Sequence, residues 1–260
     1  MFKIALDAGH GKYTAGKRCL KSLDSNETRE WFLNDRICDM VEKKLALYDG
    51  YSLIRVDDTT GETDISLSKR VKQANDFDAD IYLAVHHNAG VNGGKGGGIV
   101  AIVYTDASDI SKEYQKIVYD ELIEKTGLKG NRALPMPTQN LYVCRETNMP
   151  AVLVECGFMD SATDVPIILS EEFAEQAATG LVNALVKIGD LKKTDTKDNA
   201  TMEVKFTDIN GHYAEEQIKE LYRMGIINGV DEAHFAPNEP IKRADVAIIA
   251  RNVIRYITGK

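Results

Sequence analysis

No stretch of the 260 residues approaches the roughly 20 consecutive apolar positions that a membrane-spanning helix needs. Basic charge is not in excess either. The formal net charge is −8, which argues against nucleic acid, since that binding rests on many Lys and Arg contacts to phosphate. Histidines number five and cysteines four, and no cysteine pair has the C-x-x-C spacing of a zinc site. The metalloprotease signature H-E-x-x-H is also missing. The opening, Met1 to Asp7, turns acidic too early for a secretory leader. Synthesis in the cytoplasm is therefore expected, with the route to any outside destination supplied separately. Cys19, Cys38, Cys144 and Cys156 are expected to be free thiols. Cys156 lies in an apolar run and reads as a small buried hydrophobe, not a nucleophile.

What is present suits a globular protein: 43% hydrophobic and 28% charged residues. The length allows one sizeable core and a small accessory domain. Apolar runs at Phe2–Leu6, Ser52–Val56, Ile81–Val85, Ile99–Tyr104, Leu141–Val143 and Ala151–Val154 predict strands. Helical periods lie between them. One carries Leu33, Ile37, Val41 and Leu45; a second Leu67, Val71 and Ala74; a third Ile110, Tyr114, Ile117 and Val118. A fourth follows Ser170, an N-cap with Glu171 and Glu172 in its first turn, and carries Phe173, Ala177, Leu181 and Leu185. Alternating strands and helices predict an α/β fold, a twisted and largely parallel sheet flanked by helices. Residues 190–203 are polar and without period, and read as a linker. Residues 204–260 carry two helical stretches, about 214–224 and 243–256, and form a small helical module.

Chemistry-bearing residues collect at predicted strand ends. His10 follows the first strand in D-A-G-H-G, where Gly9 and Gly11 are expected to let the loop turn tightly. His86 and His87 close the third strand, and Glu155 ends a later one in P-A-V-L-V-E-C-G-F. Sites in open α/β sheets form at the carboxyl ends of the strands. Glu30 opens the first helix near the same edge. Two imidazoles and a carboxylate make a hydrolytic zinc set with one position left for water, and a further carboxylate can act as general base and acid. Glu155, approached by Val152, Leu153 and Val154, suits that role, because apolar surroundings raise a carboxyl pKa. Taken singly, each of these residues also fits a plain structural role, as a loop histidine, a helix-start glutamate, or a strand-end glutamate paired to an arginine. Gly93 to Gly98 read as a flexible loop beside the site, with Lys95 solvated or meeting substrate there.

Taken together, the motifs resemble the N-acetylmuramoyl-L-alanine amidase 3 family. I-A-L-D-A-G-H-G looks like its opening strand, and Glu30 to Asn34 is similar to its E-x-x-x-N. The stretch from Leu67 and Arg70 through Asn75 and Asp80 to His86-His87-Asn88-Ala89 resembles its next block, with Ala84 where the family often has Ser. Pro150 to Phe158 resembles its P-A-V-L-V-E-x-G-F. The likeness covers nearly all of residues 1–189. It implies zinc ligands at His10, Glu30 and His86, a catalytic Glu155, and hydrolysis of the amide between N-acetylmuramic acid and L-Ala in peptidoglycan. Only Glu30, not Glu27, fits E-x-x-x-N. Asn88 is expected to be structural or to support the ligands. Arg70 is expected to pair with a carboxylate rather than touch substrate.

Residues 204–260 resemble a surface-layer homology repeat, through Phe206-Thr207-Asp208-Ile209, Met224 to Gly229, Phe235-Ala236-Pro237 and Ile241 to Asp245, with Tyr213 where the family usually has Trp. The expected organisation is a catalytic domain at 1–189, a linker at 190–203, and a module at 204–260 that binds secondary cell-wall polymer or self-associates into a homo-oligomer. Such parts together look like a phage or prophage endolysin acting on the wall after release. A host autolysin, a zinc peptidase cutting within the stem peptide, and a non-catalytic wall-binding protein are the competing readings.

Overall fold

The computed structural model describes residues 1–194 and 204–258. They belong to two compact units, Met1–Lys193 and Thr194–Lys260.

In the first unit, one sheet is built from β1 (Phe2–Ala8), β3 (Tyr51–Arg55), β4 (Ile81–Asn88), β5 (Ile99–Ile102) and β6 (Ala151–Phe158). Its five strands lie in the order β3-β1-β4-β6-β5. β1 runs parallel to β3 and β4, and β4 parallel to β6; only β5, on the edge, is antiparallel. Parallel strands covered on both faces read as unbroken apolar runs, and Ile81 to Val85 are all fully buried. Alternation sorts their side chains. Ile4, Leu6, Leu83, Val85, Val152 and Val154 join α1 (Glu30–Leu45), α3 (Asp109–Thr126) and α6 (Glu171–Gly189) in the larger core. Ala5, Tyr82, Ala84 and Leu153 face the other way, against α2 (Leu67–Phe77) and α4 (Tyr142–Glu146).

The helices form where the periods place them. Leu33, Ile37, Val41 and Leu45 make the buried stripe of α1, with Glu30 in its first turn and Lys43 and Lys44 in its last, as the helix dipole favours. Ser108 Oγ accepts from Ser111 N at 3.3 Å to cap α3, and Ser170 Oγ from Phe173 N at 3.1 Å to cap α6. Ile110 and Leu67 open their helices and stay exposed.

Two expectations are corrected. Leu141–Val143 is not a strand: Tyr142–Glu146 is a short helix that buries Val143 and Cys144. Three residues are too few for a run to separate strand from helix. Asp190 to Lys193 are folded with the first unit. Asp190 ends α6 in the left-handed conformation, Leu191 is buried, and β7 (Lys192–Lys193) pairs antiparallel with β2 (Tyr48–Asp49). Of the expected linker, residues 195–203 lie outside the described residues.

All four cysteines are free and buried. Among the described residues, no helix is long and apolar enough to cross a membrane.

The second unit carries α7 (Glu215–Arg223) and α8 (Arg243–Thr258) over a core of Phe206, Ile209, Ile218, Ile226 and Ile227. The Phe206 ring packs on Tyr222 and Phe235, with centroids 4.8 and 5.8 Å away. Asp208 accepts from the backbone N–H groups of Phe235 and Ala236, at 2.9 and 2.7 Å, and so ties its turn to the distant loop.

Candidate active site

The chain winds from β1 through α1 out to β3, then returns past β1 to β4. The carboxyl ends of β1 and β4 therefore flank the switch point of the sheet, where open α/β folds bind ligands. His10 leaves the end of β1, and His86 stands near the end of β4. Glu30 enters from the first turn of α1. Glu155 lies on β6 in register with His86, so the two side chains share one face.

Glu30 is the centre of the cluster. Its Oε1 lies 3.1 Å from His86 Nδ1 and 3.3 Å from His10 Nε2. The two imidazoles meet edge to face, with centroids 5.0 Å apart. One ligand atom from each of the three residues lies within 4.8 Å of the others. Glu30 is 1% exposed, the histidines 20% and 17%, so the group is sheltered and still open to a substrate.

Buried polar atoms are nearly always hydrogen-bonded, yet here His10 Nε2, Glu30 Oε2 and Glu155 Oε2 have no hydrogen-bond partner. Unspent donor atoms on two imidazoles and a carboxylate fit a metal ion. Burial pushes the Glu30 carboxyl up, but the two histidines outweigh it and hold it well below the usual carboxylate range. Glu30 is therefore ionised, as a ligand must be. Glu155 is pushed up to about 7, mainly by burial, with His86 opposing and Glu30 adding to the rise. Two neighbouring carboxyls with separated proton affinities can divide the work, one holding charge and one moving protons.

Residues 4–187 match the family described as N-acetylmuramoyl-L-alanine amidase. The chain belongs to that family. It is 31% identical over 199 residues to the sporulation-specific N-acetylmuramoyl-L-alanine amidase of Bacillus subtilis (strain 168), covering 75% of this chain and 71% of that protein. It is 30% identical over 192 residues to the endolysin of Bacillus phage SPP1, covering 73% and 67%. Among solved structures, the catalytic domain of the amidase CwlV from Bacillus (Paenibacillus) polymyxa var. colistinus superposes with a TM-score of 0.65 at 25% identity, over 74% of this chain and all of that one, 100%. An N-acetylmuramoyl-L-alanine amidase from Clostridium difficile 630 does so with 0.65 at 29% identity, over 73% and 97%. Residues 205–247 match the S-layer homology domain.

Around the group of His10, Glu30 and His86, buried side chains hold the backbone in place. Arg70 is fully buried and pairs with Asp7. It also donates to Ala8 O at 2.8 Å, His10 O at 2.9 Å and Ile65 O at 2.8 Å. Tyr82 Oη donates to the other Asp7 oxygen at 2.5 Å. One guanidinium thus fixes the end of β1 and the loop that carries His10. Beside it, a cavity of about 350 Å³ is lined by His10, His86, Asp64, Leu67 and Arg70.

Asn34 lies one turn beyond Glu30 and explains the E-x-x-x-N spacing. Its Nδ2 donates to Gly9 O at 3.0 Å, and its Oδ1 lies 2.8 Å from His87 Nδ1. Since the amide oxygen accepts, His87 must donate from Nδ1. Burial holds the His87 pKa down to about 3, so the ring is neutral. The neighbouring histidines therefore differ: His86 faces Glu30, and His87 braces Asn34 from the other face of β4. The signal for that bracing was the Asn34 spacing.

Asn88 does not reach the donor group. It accepts from Ala89 N at 2.8 Å through Oδ1 and from Met159 N at 2.8 Å through its carbonyl. Glu27 is turned away, toward Arg18 at 3.0 Å and Lys21 at 3.9 Å. The roles expected of Gly9 and Gly11 are also corrected. The left-handed residue is His10 itself, at φ 69, not a glycine. Gly9 instead makes room for the His86 ring.

The Gly93–Gly98 loop is tied down rather than free. Gly93 N donates to Asp160 O at 2.7 Å, Ala162 N to Gly94 O at 2.9 Å, and Gly98 N to Asp164 Oδ2 at 2.7 Å. Its glycines allow close backbone approach. Lys95 is exposed there.

Proposed function

We propose that the protein is a zinc-dependent amidase that hydrolyses the amide between the lactyl group of N-acetylmuramic acid and L-Ala in peptidoglycan. The observation that carries this reading is the convergence of His10, Glu30 and His86, one ligand atom of each within 4.8 Å of the others, beside the raised Glu155 carboxyl. His10, Glu30 and His86 would hold the metal. Zinc, when bound, supplies a Lewis acid that polarises the scissile carbonyl and acidifies water. Glu155 in its ionised form takes a proton from the attacking water. It then delivers that proton to the nitrogen of L-Ala as the amide breaks, so one carboxyl serves as base and then as acid. Asn34 and Arg70 hold the ligand loop still, and neither needs to touch the substrate.

The proposed organisation is a catalytic domain at 1–193, a linker from there to 203 and a module at 204–260. The match of residues 205–247 to the S-layer homology domain supports a wall-targeting role for that module, through secondary cell-wall polymer or through self-association. Either would raise the local enzyme concentration without altering the chemistry. A size measurement that finds a monomer with undiminished wall binding would count against self-association. The relationship to the SPP1 endolysin supports phage-driven lysis, and that to the sporulation-specific amidase supports a host enzyme of the same activity.

The test is mass spectrometry of products released from purified peptidoglycan by zinc-loaded protein, with a chelated control. Intact stem peptides with a new L-Ala amino terminus, lost on chelation, are expected. Fragments cut within the peptide would replace the amidase by a peptidase.

A further inference from the structure

The segment Leu128–Gln139 runs back along β5. Ile99 N donates to Leu128 O at 3.0 Å, Ala101 N to Pro135 O at 3.0 Å, and Gln139 N to Val103 O at 2.8 Å. β5 is antiparallel to β6, and Ile99 stands opposite Cys156. The turn after Leu128 therefore lies at the edge of the sheet that carries Glu155. There it meets the glycine loop backbone to backbone. A Cβ on Gly98 would lie 2.5 Å from Gly130 Cα, and one on Gly130 would lie 2.1 Å from Gly97 O. Asn131 Oδ1 accepts from Gly97 N at 3.2 Å. The root of the next residue, Arg132, is fixed by these contacts.

Arg132 is exposed, and its guanidinium lies over the ring of Phe158, 4.3 Å from the centroid. Phe158 is fully buried, three residues beyond Glu155, and in register with Asn88, two residues beyond His86. Among the described residues 1–194, every other arginine has a hydrogen-bonded or ion-paired oxygen. Arg132 has none. Carboxylates stand close by Phe158 in the sequence, but they face other groups: Asp160 Oδ2 accepts from Gly90, Val91 and Asn92 N while its Oδ1 is buried without a partner, and Asp164 Oδ2 accepts from Gly98 and Phe158 N.

A guanidinium stacked on a ring uses its face and keeps its in-plane N–H groups. Those donors form a fork that suits a carboxylate, and the stacking removes much of the freedom the side chain would otherwise lose on binding. Among the described residues, this cation without an oxygen partner is held over Phe158, at the same carboxyl end of β6 that carries Glu155, in a chain whose net charge is −8. Resting on the amidase reading above, we infer that Arg132 is a specificity residue that grips a free carboxylate of the stem peptide beyond the scissile amide. The enzyme then distinguishes stem peptides with that carboxylate free from those in which it is a carboxamide.

The experiment separates binding from turnover. Two N-acetylmuramoyl peptides, one with a free carboxylate on the second residue and one with a carboxamide, are titrated calorimetrically into the zinc-loaded Glu155→Gln protein. The carboxylate form should bind about tenfold tighter, as expected for a charge-assisted hydrogen-bonded pair. Adding Arg132→Ala should bring the ratio close to one, and Arg132→Lys should leave it between. An unchanged ratio in Arg132→Ala, no preference in the parent, or no binding of either peptide overturns the assignment. Turnover of the same pair by the unaltered enzyme tests the amidase reading separately. A carboxylate preference in binding without cleavage would remove that reading and leave Arg132 as the carboxylate site.

Discussion

The ring of His86 fills the space where Gly9 would otherwise carry a side chain: a Cβ built on Gly9 lies 2.1 Å from His86 Cε1. No contact of that length is tolerated, so Gly9→Ala must drive the imidazole out of its position. The expected result is a folded protein with zinc binding weakened by roughly 10–100-fold or more, since losing only a group that orients a ligand already costs that much. Competition titration with a zinc chelator measures it, with far-ultraviolet circular dichroism as the folding control. Unaltered affinity would show that His86 moves freely.

Glu155→Gln should retain zinc and lose lysis. Removing a general base costs about 10²- to 10⁴-fold in typical cases. Zinc content by elemental analysis and clearing of purified walls are the two readouts. Near-normal clearing would remove Glu155 from the mechanism.

The pH profile follows from the same carboxyl. Burial sets Glu155 at about 7, and in the proposed mechanism it serves as base only when ionised. kcat/KM should therefore fall as pH drops through a limb at or below that value, since bound zinc favours the carboxylate and draws the limb down. Lys17, whose Nζ is 3.6 Å from Glu30 Oε2, also favours the ionised form of Glu155. Lys17→Met removes that charge, so the limb should move to higher pH. A limb that stays in place would sever Lys17 from Glu155.

Arg70→Met leaves Asp7 buried with the Tyr82 hydroxyl as its remaining side-chain donor. Breaking one half of a buried pair costs about 3–5 kcal/mol. Urea denaturation should register that loss. The double variant with Asp7→Asn should be less destabilised than the sum of the two single changes. Strict additivity would mean the pair is not coupled.

Asn34→Ala strands two buried groups, the Gly9 carbonyl and the His87 Nδ1. A loss of about 1–3 kcal/mol per stranded group is expected. Asn34→Asp keeps the acceptor for His87 and gives up the donor to Gly9, so it should fall between. Equal stability of both variants with the parent would reduce Asn34 to packing.

The sequence exposed the parts of this site that depend on position along an element. His10, His86 and Glu155 could be placed at strand ends because apolar runs end just before or at them, and Glu30 because a helical period begins there. The four long helices of the first unit followed from spacing, with the Ser170 cap marking the start of the last. Lateral contacts were hidden. Nothing in D-A-G-H-G says that Gly9 faces a histidine 77 residues later, or that His10 carries the left-handed backbone. Composition made Gly93 to Gly98 look free, but the partners that tie them, Asp160 and Asp164, come from beyond β6. Leu141–Val143 was too short for its period to be read.

His10 sits at φ 69, a backbone region that a non-glycine residue enters at a cost of roughly 1–3 kcal/mol. Glycine would enter it freely. At this one position the residue best for folding and the residue best for chemistry are different amino acids. Selection for a sturdier protein alone would favour glycine there, so a thermostabilised version obtained without an activity screen would trade the imidazole away.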